Sequence, residues 1–140
     1  MTERSFLDTN ILISADDGSD ERKQATAIGL IEAGIRSRRA VLSTQVLQEY
    51  FVNATRKLGI APAVARESIE AYQQLTTIQI EPTDILEAID LHRLHSLSFW
   101  DGLIIQSARK SGCRVLYSED LQDGRRFGTL RLVNPFKEGP

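Results

Sequence analysis

Apolar positions along this chain follow two rhythms: short runs of consecutive or every-other apolar residues, and longer stretches in which they return every three or four positions. The short runs fall at residues 4–8 (RSFLD), 40–43 (AVLS), 77–81 (TIQIE), 113–118 (CRVLYS) and 129–133 (TLRLV), and each predicts a strand. The last alternates as an edge strand, ended by Asn134 and Pro135. Helical spacing is carried by Ala25, Ile28, Ile31 and Ile35, by Val46, Leu47, Tyr50, Phe51, Ala54 and Leu58, and after Pro62 by Val64, Ile69, Tyr72 and Leu75. Thr9 and Asn10 are the expected caps of a helical turn at residues 11–13, Ser43 or Thr44 caps the helix of Val46, and Thr83 caps one that reaches His95. The final helix has the fullest set of signals, with Ser98 as N-cap, Asp101 at the capping-box position, Arg109 and Lys110 at the negative end and Gly112 to close it. Strands alternating with helices predict an α/β fold of three layers, α/β/α, around a central, mainly parallel sheet of about five strands.

At 140 residues, with no repeat, low-complexity stretch or linker, the expectation is a single domain over residues 1–140. No run approaches the roughly 18 apolar residues of a membrane span. Nor does MTERSFLDTN resemble a signal peptide, so the expected location is the cytoplasm, with no membrane partner. Cys113 has no second cysteine to pair with and reads as a small buried residue. His92 and His95 have no other ligand types clustered near them and read as structural. A net charge of −2 argues against a generic basic nucleic-acid binder, yet charge has to be read locally. Arg36, Arg38 and Arg39 lie close together, and Arg125 with Arg126 stands directly beyond an acidic loop, where phosphate contact is expected.

That loop changes the picture most, because Glu119, Asp120 and Asp123 crowd together ahead of Gly124. Such crowding costs free energy unless a cation, a shared proton or an arginine offsets it. In an open α/β sheet ligands bind beyond the carboxyl ends of the strands, where the strand order reverses. Asp8 ends the first strand, Glu49 lies one turn into the helix after the second, Asp101 lies in the first turn of its helix, and Asp120 follows the strand at 113–118. All can reach one edge. Hard oxygen ligands without Cys or His favour Mg²⁺, with Mn²⁺ as a substitute, over zinc. No glycine-rich phosphate loop follows the first strand, so the acids are expected to hold metal rather than a nucleoside triphosphate.

Three stretches carry a resemblance to a known family: FLDTNILI, STQVLQEYFVNATRK and SFWDGLIIQSARKSGCRVLYSEDLQDG. In this order and at these spacings the chain resembles, over essentially its whole length, the PIN-domain nucleases, and among them the VapC-like toxins of bacterial toxin-antitoxin pairs. The resemblance implies a Mg²⁺-dependent endoribonuclease, a homodimer, and a cognate antitoxin that blocks it. It matches Asp8, Glu49, Asp101 and Asp120 to the family's acidic positions and Asp123 to a further position that is acidic only in some members. Thr9 corresponds to the family's site hydroxyl, and with Arg125 and Arg126 it is expected on the substrate side. The expected chemistry is hydrolysis of an RNA phosphodiester by metal-activated water, with the carboxylates acting as ligands. Two other readings compete. An aspartate-based phosphotransferase would need a second Asp where the chain has Asn10, or a lysine where it has Ser118 and Glu119. A non-catalytic module would use the same acids only to hold an ion or RNA.

Overall fold

The computed structural model describes residues 3–137. Its strands are β1 (Ser5–Leu7), β2 (Ala40–Ser43), β3 (Thr76–Ile78), β4 (Val115–Tyr117), β5 (Arg126–Phe127) and β6 (Leu130–Val133). Its helices are α1 (Thr9–Asp16), α2 (Glu21–Ser37), α3 (Thr44–Lys57), α4 (Pro62–Tyr72), α5 (Pro82–His95) and α6 (Phe99–Lys110). The sheet order is β3-β2-β1-β4-β6-β5, all neighbours being parallel except the antiparallel pair β5 and β6. This is the predicted α/β class with its mainly parallel sheet between helical layers, extended by one strand. Phe6, Leu7, Val41, Leu42, Leu116 and Leu132 are at most 1% exposed, which explains why the strands read as nearly unbroken apolar runs. Among the described residues no helix is long and apolar enough to cross a membrane.

The helix ends follow local chemistry, with two departures from expectation. Asp8 itself caps α1, its side chain accepting from the Thr9 amide, so the cap stands one residue before the expected ones and Thr9 is already helical. Glu81, not Thr83, is the N-cap of α5; Pro82 takes the first helical position, and Asp84 completes a capping box with Glu81. Ser43 and Ser98 cap α3 and α6 as the sequence indicates, accepting from Val46 and Asp101. Cys113 is buried, as expected.

The stretch at 129–133 departs from expectation in a different way. Its strand, β6, is interior: it pairs with β4 on one side and with β5 on the other. β5 is a two-residue strand, too short to leave a periodic signal, and it takes the edge instead. β1 sits between β2 and β4, so the chain leaves it in both directions, and the strand order reverses there.

The most extensive helix–helix contact joins α5 to α6 and so sets where Asp101 stands. Asp84, only 2% exposed, holds the pair together by accepting from Lys110 Nζ at 2.8 Å, Gln106 Nε2 at 3.2 Å and the Glu81 amide at 2.9 Å. Gly102, the residue after Asp101, lets the helices approach: a Cβ there would stand 2.8 Å from the Ala88 carbonyl oxygen. That neighbour is backbone, and it cannot swing aside as a side chain can. Gly102→Ala is therefore expected to lower stability by about 1–3 kcal/mol, as overpacking does, and denaturant titration showing an unchanged or raised midpoint would refute the close-approach argument.

Candidate active site

The carboxyl edge of β1, β2 and β4 opens into a cavity of about 580 Å³ lined by residues of five segments. Asp8, Glu49, Asp101 and Asp120 all line it, together with Thr9, Asn10, Gln45, Trp100 and Lys57. The fold thus brings the expected acids to one place from the end of β1, from α3, from the first turn of α6 and from the loop after β4.

Pairing of Leu7 with Tyr117 carries the next residues, Asp8 and Ser118, out of the sheet side by side. Asp8 Oδ1 accepts from the Thr9 amide at 2.7 Å, and Oδ2 accepts from the Ser118 hydroxyl at 2.8 Å. Ser118 Oγ accepts in turn from Asn10 Nδ2 and from the Asp120 amide, each at 3.2 Å. Asn10 also donates to Asp120 Oδ2 at 3.2 Å and accepts from the Glu119 amide at 3.0 Å, clamping the acidic loop to α1. On the opposite side the Thr9 hydroxyl donates to Glu49 Oε1 at 2.6 Å, and Gln45 Nε2 donates both to Glu49 Oε2 and to the Trp100 carbonyl, each at 3.2 Å. Among the described residues Gln45 Oε1 is buried with no hydrogen-bond partner.

Burial pushes the Asp8 carboxyl up to about 7; its bonds from Ser118 and Thr9 act the other way, and the charges of Glu49 and Asp101 add to the rise. Asp101 is also raised, first by desolvation and then by the fields of Asp120 and Glu49, with the cap bond at Ser98 opposing. The four acids therefore sense one another electrostatically. Their spacing is nonetheless open: among the described residues no group of three or more Asp, Glu, His or Cys side chains closes to the geometry of a metal ion's ligands. The donor set fits a hard divalent cation by its chemistry, since it is all oxygen and, among the described residues, Lys57 is the one cationic side chain lining the cavity. With its carboxyl raised to about 7, Asp8 would be shifted toward its ionised form by a cation bound there.

Other expected site residues stand elsewhere. Asp123 does not line the cavity: Oδ1 accepts from the Asn134 amide at 2.9 Å and Oδ2 faces Lys137 Nζ at 3.4 Å, tying the loop to the end of β6. The backbone bond from Asn134 is the main reason its pKa is lowered. Arg125 donates to the His95 carbonyl at 3.3 Å and lies over the Phe127 ring at 4.7 Å, closing the end of α5. Arg126 is an exposed residue of β5 opposite Arg131, and neither arginine lines the cavity. Glu119 is likewise outside the lining and pairs with Lys23.

Ser118, Lys57 and Trp100 are the lining or bridging groups that sequence reasoning missed. Ser118 had a signal in the sequence, being a small polar residue at the end of a buried strand, as Asp8 is. Lys57 continues, at four-residue steps, the polar stripe Gln45, Glu49 and Asn53 of α3. Trp100 had none beyond adjacency to Asp101.

Comparison with known proteins gives a consistent result. The chain matches the family described as PIN domain over residues 5–125. Among solved structures it is similar to VapC20 of Mycobacterium tuberculosis, a toxin described as cleaving the sarcin-ricin loop, at 22% identity and a TM-score of 0.66, covering 83% of this chain and 91% of that one. It is similar to a toxin-antitoxin complex from Klebsiella pneumoniae at 20% identity and a TM-score of 0.70, covering 94% and 97%. A third similar structure, VapBC2 from Rickettsia felis bound to a fragment of its promoter DNA, has 16% identity and a TM-score of 0.67, covering 91% and 96%. No curated protein matches the chain in sequence.

The raised Asp8 carboxyl has a consequence for stability. The folded chain holds this proton up to about pH 7, whereas the unfolded chain releases it near 3.8. The contribution of Asp8 therefore falls as pH rises through that window and levels off above it, by on the order of a few kcal/mol. In chelator, the stability of the wild type relative to Asp8→Asn should decline from pH 4 to 7, and Mg²⁺ should restore it at neutral pH. A difference independent of pH would show that the site does not strain Asp8.

Proposed function

The chain belongs to the PIN domain family, and from that premise we propose that it is a divalent-metal-dependent endoribonuclease, a VapC-like toxin restrained by a cognate antitoxin. The observation that carries this reading is the delivery of four carboxylates from separate segments to one cleft at the reversal of strand order. The similar structures support it by their descriptions as a sarcin-ricin loop cleaving toxin and as a toxin-antitoxin complex. Residues 1–140 act as one catalytic domain in the cytoplasm, as a homodimer.

Asp8, Asp101 and Asp120 would hold Mg²⁺ or Mn²⁺, with Glu49 as a further ligand for the same ion or a second one. The bound ion would supply activation of water at neutral pH and stabilisation of charge on the phosphate oxygens. Asp8 is oriented by Thr9 and Ser118, and Asp120 by Asn10 and Ser118. Thr9 and Gln45 hold Glu49 in its rotamer, so Thr9 acts by positioning an acid and only secondarily faces substrate. Asp123 drops out of the ligand set and serves as a tie within the loop. The inner phosphate contact passes from Arg125 and Arg126 to Lys57, which lines the cleft. An anionic cleft of this kind also suits an inhibitor that brings a cationic segment, which is how the antitoxin would block it.

Labelled RNA with Mg²⁺ and with chelator tests the assignment. Cleavage should require the metal and should fall at least about 100-fold in Asp8→Asn, because losing even an outer partner of a metal ligand costs about 10- to 100-fold. Ser118→Ala, which removes such a partner, should fall within that range. Metal-dependent cleavage that survives Asp8→Asn would remove the assignment.

Binding of RNA to the Asp8→Asn protein across a salt series tests the phosphate contact. Lys57→Ala should make the slope of log affinity against log salt shallower by about 0.7, the value of one phosphate contact on a single strand. Arg125→Ala with Arg126→Ala should leave the slope unchanged; the opposite pattern would return the contact to the arginines.

A further inference from the structure

The cleft contains more than a phosphate site needs. Beside the carboxylates it is lined by Ile13, Val52, Ile104 and Trp100. Phosphate and metal have no apolar face to bring to such a wall, whereas a nucleobase does. Trp100 is the aromatic member of this lining and is 60% exposed, although it directly precedes Asp101 and the residues around it are fixed.

Its backbone is restrained at two places, and its ring has one aromatic neighbour. The helix start is set by the Ser98 cap on the Asp101 amide at 3.0 Å and by the Gly102 amide bonded to the Ser98 carbonyl at 2.9 Å. The Trp100 carbonyl accepts from Gln45 Nε2, and the same amide group grips Glu49. The indole meets the Phe99 ring edge to face, with centroids 5.1 Å apart and planes at 75°. A large flat apolar surface is thus held ready at the mouth of the cleft, bonded through its own backbone to the partner of one acid and adjacent in sequence to another. The backbone that carries the ring is set before a ligand arrives, which lowers the ordering cost of stacking on it.

We propose that Trp100 is the base-stacking platform of this cleft, the ring on which a nucleobase next to the cleaved phosphate is held. The proposal rests on the nuclease reading above and adds the residue that contacts a base of the substrate. Stacking on an aromatic ring tolerates any base identity but demands an exposed π-face, which a base inside a duplex does not offer. The platform therefore discriminates by pairing state and leaves the choice of sequence to other contacts.

Trp100 is the single tryptophan of the chain, so its own fluorescence reports the contact. In the Asp8→Asn protein, a single-stranded oligoribonucleotide spanning a cleavage site mapped with the wild type should quench the emission, and the same strand annealed to its complement should not. Trp100→Ala should weaken binding of the single strand by about 5- to 100-fold, the range for loss of one stacked base, and Trp100→Phe should retain most of it. An abasic nucleotide beside the mapped site should weaken the wild-type ring but leave Trp100→Ala no worse. Unquenched emission, with equal affinity for Trp100→Ala, would overturn the platform while cleavage by the wild type kept the nuclease reading intact. A change in sedimentation of Trp100→Ala without any change in RNA affinity would assign the ring to a protein interface and likewise overturn it. Failure of the wild type to bind or cleave any RNA would remove both.

Discussion

The cleft depends on the parallel register of β1 against β4. With Leu7 opposite Tyr117, the Asp8 amide donates to the Tyr117 carbonyl at 3.0 Å, and Asp8 and Ser118 emerge together at the carboxyl edge. From that pair the rest follows by short side-chain bonds: Ser118 to Asp8, Asn10 to Ser118 and Asp120, Thr9 to Glu49. A slip of one residue in either strand would reverse the faces of all side chains beyond it. The apolar residues at Phe6, Leu7 and Leu116, buried to within 1%, are what oppose such a slip. The core therefore specifies the site by specifying the register.

Two buried aspartates show how differently the same fold can treat one chemical group. Asp84 is 2% exposed and Asp8 is 7% exposed, so both incur a large desolvation penalty. For Asp84 that penalty is the largest single effect, yet bonds from Lys110, the Glu81 amide and Gln106 outweigh it and leave the carboxyl below its ordinary value. Asp8 receives only neutral donors and faces two negative neighbours, so its carboxyl rises to about 7. The first arrangement is a completed structural tie between α5 and α6. The second has no cationic group bonded to it among the described residues, and a fold with no use for such an arrangement would be expected to repair it.

The α5–α6 tie also bears on the cleft, because α6 carries both Asp101 and Trp100 in its first turn. Close approach at Gly102 and the buried Asp84–Lys110 pair set that helix against α5, while Gln45 of α3 fastens its first turn from the other side. Arg125, held by the His95 carbonyl and the Phe127 ring, supports the turn between the two helices. Charges expected to meet substrate thus act in part as scaffold for those that do line the cavity.

The order of strands and helices, the caps at Ser43 and Ser98, and the acids at Asp8, Glu49, Asp101 and Asp120 were open to sequence reasoning because each depends on spacing along one segment. Periodicity, capping and position at a strand's end are local properties, and the rule that ligands gather at the carboxyl edge converts them into a shared site. What crosses between segments was not open to it. That Asp123 turns to Asn134, that Arg125 turns to His95, that β6 lies inside the sheet and that Lys57 and Trp100 flank the acids are outcomes of packing between residues far apart in the chain. Direction of a side chain in a loop is set by whichever neighbour satisfies it first, and for Asp123 that neighbour was the backbone amide of Asn134, just beyond the end of β6. The sequence alone determined which residues could reach the edge; only the tertiary structure decided which of them face the cleft, because that choice is made by contacts no single segment contains.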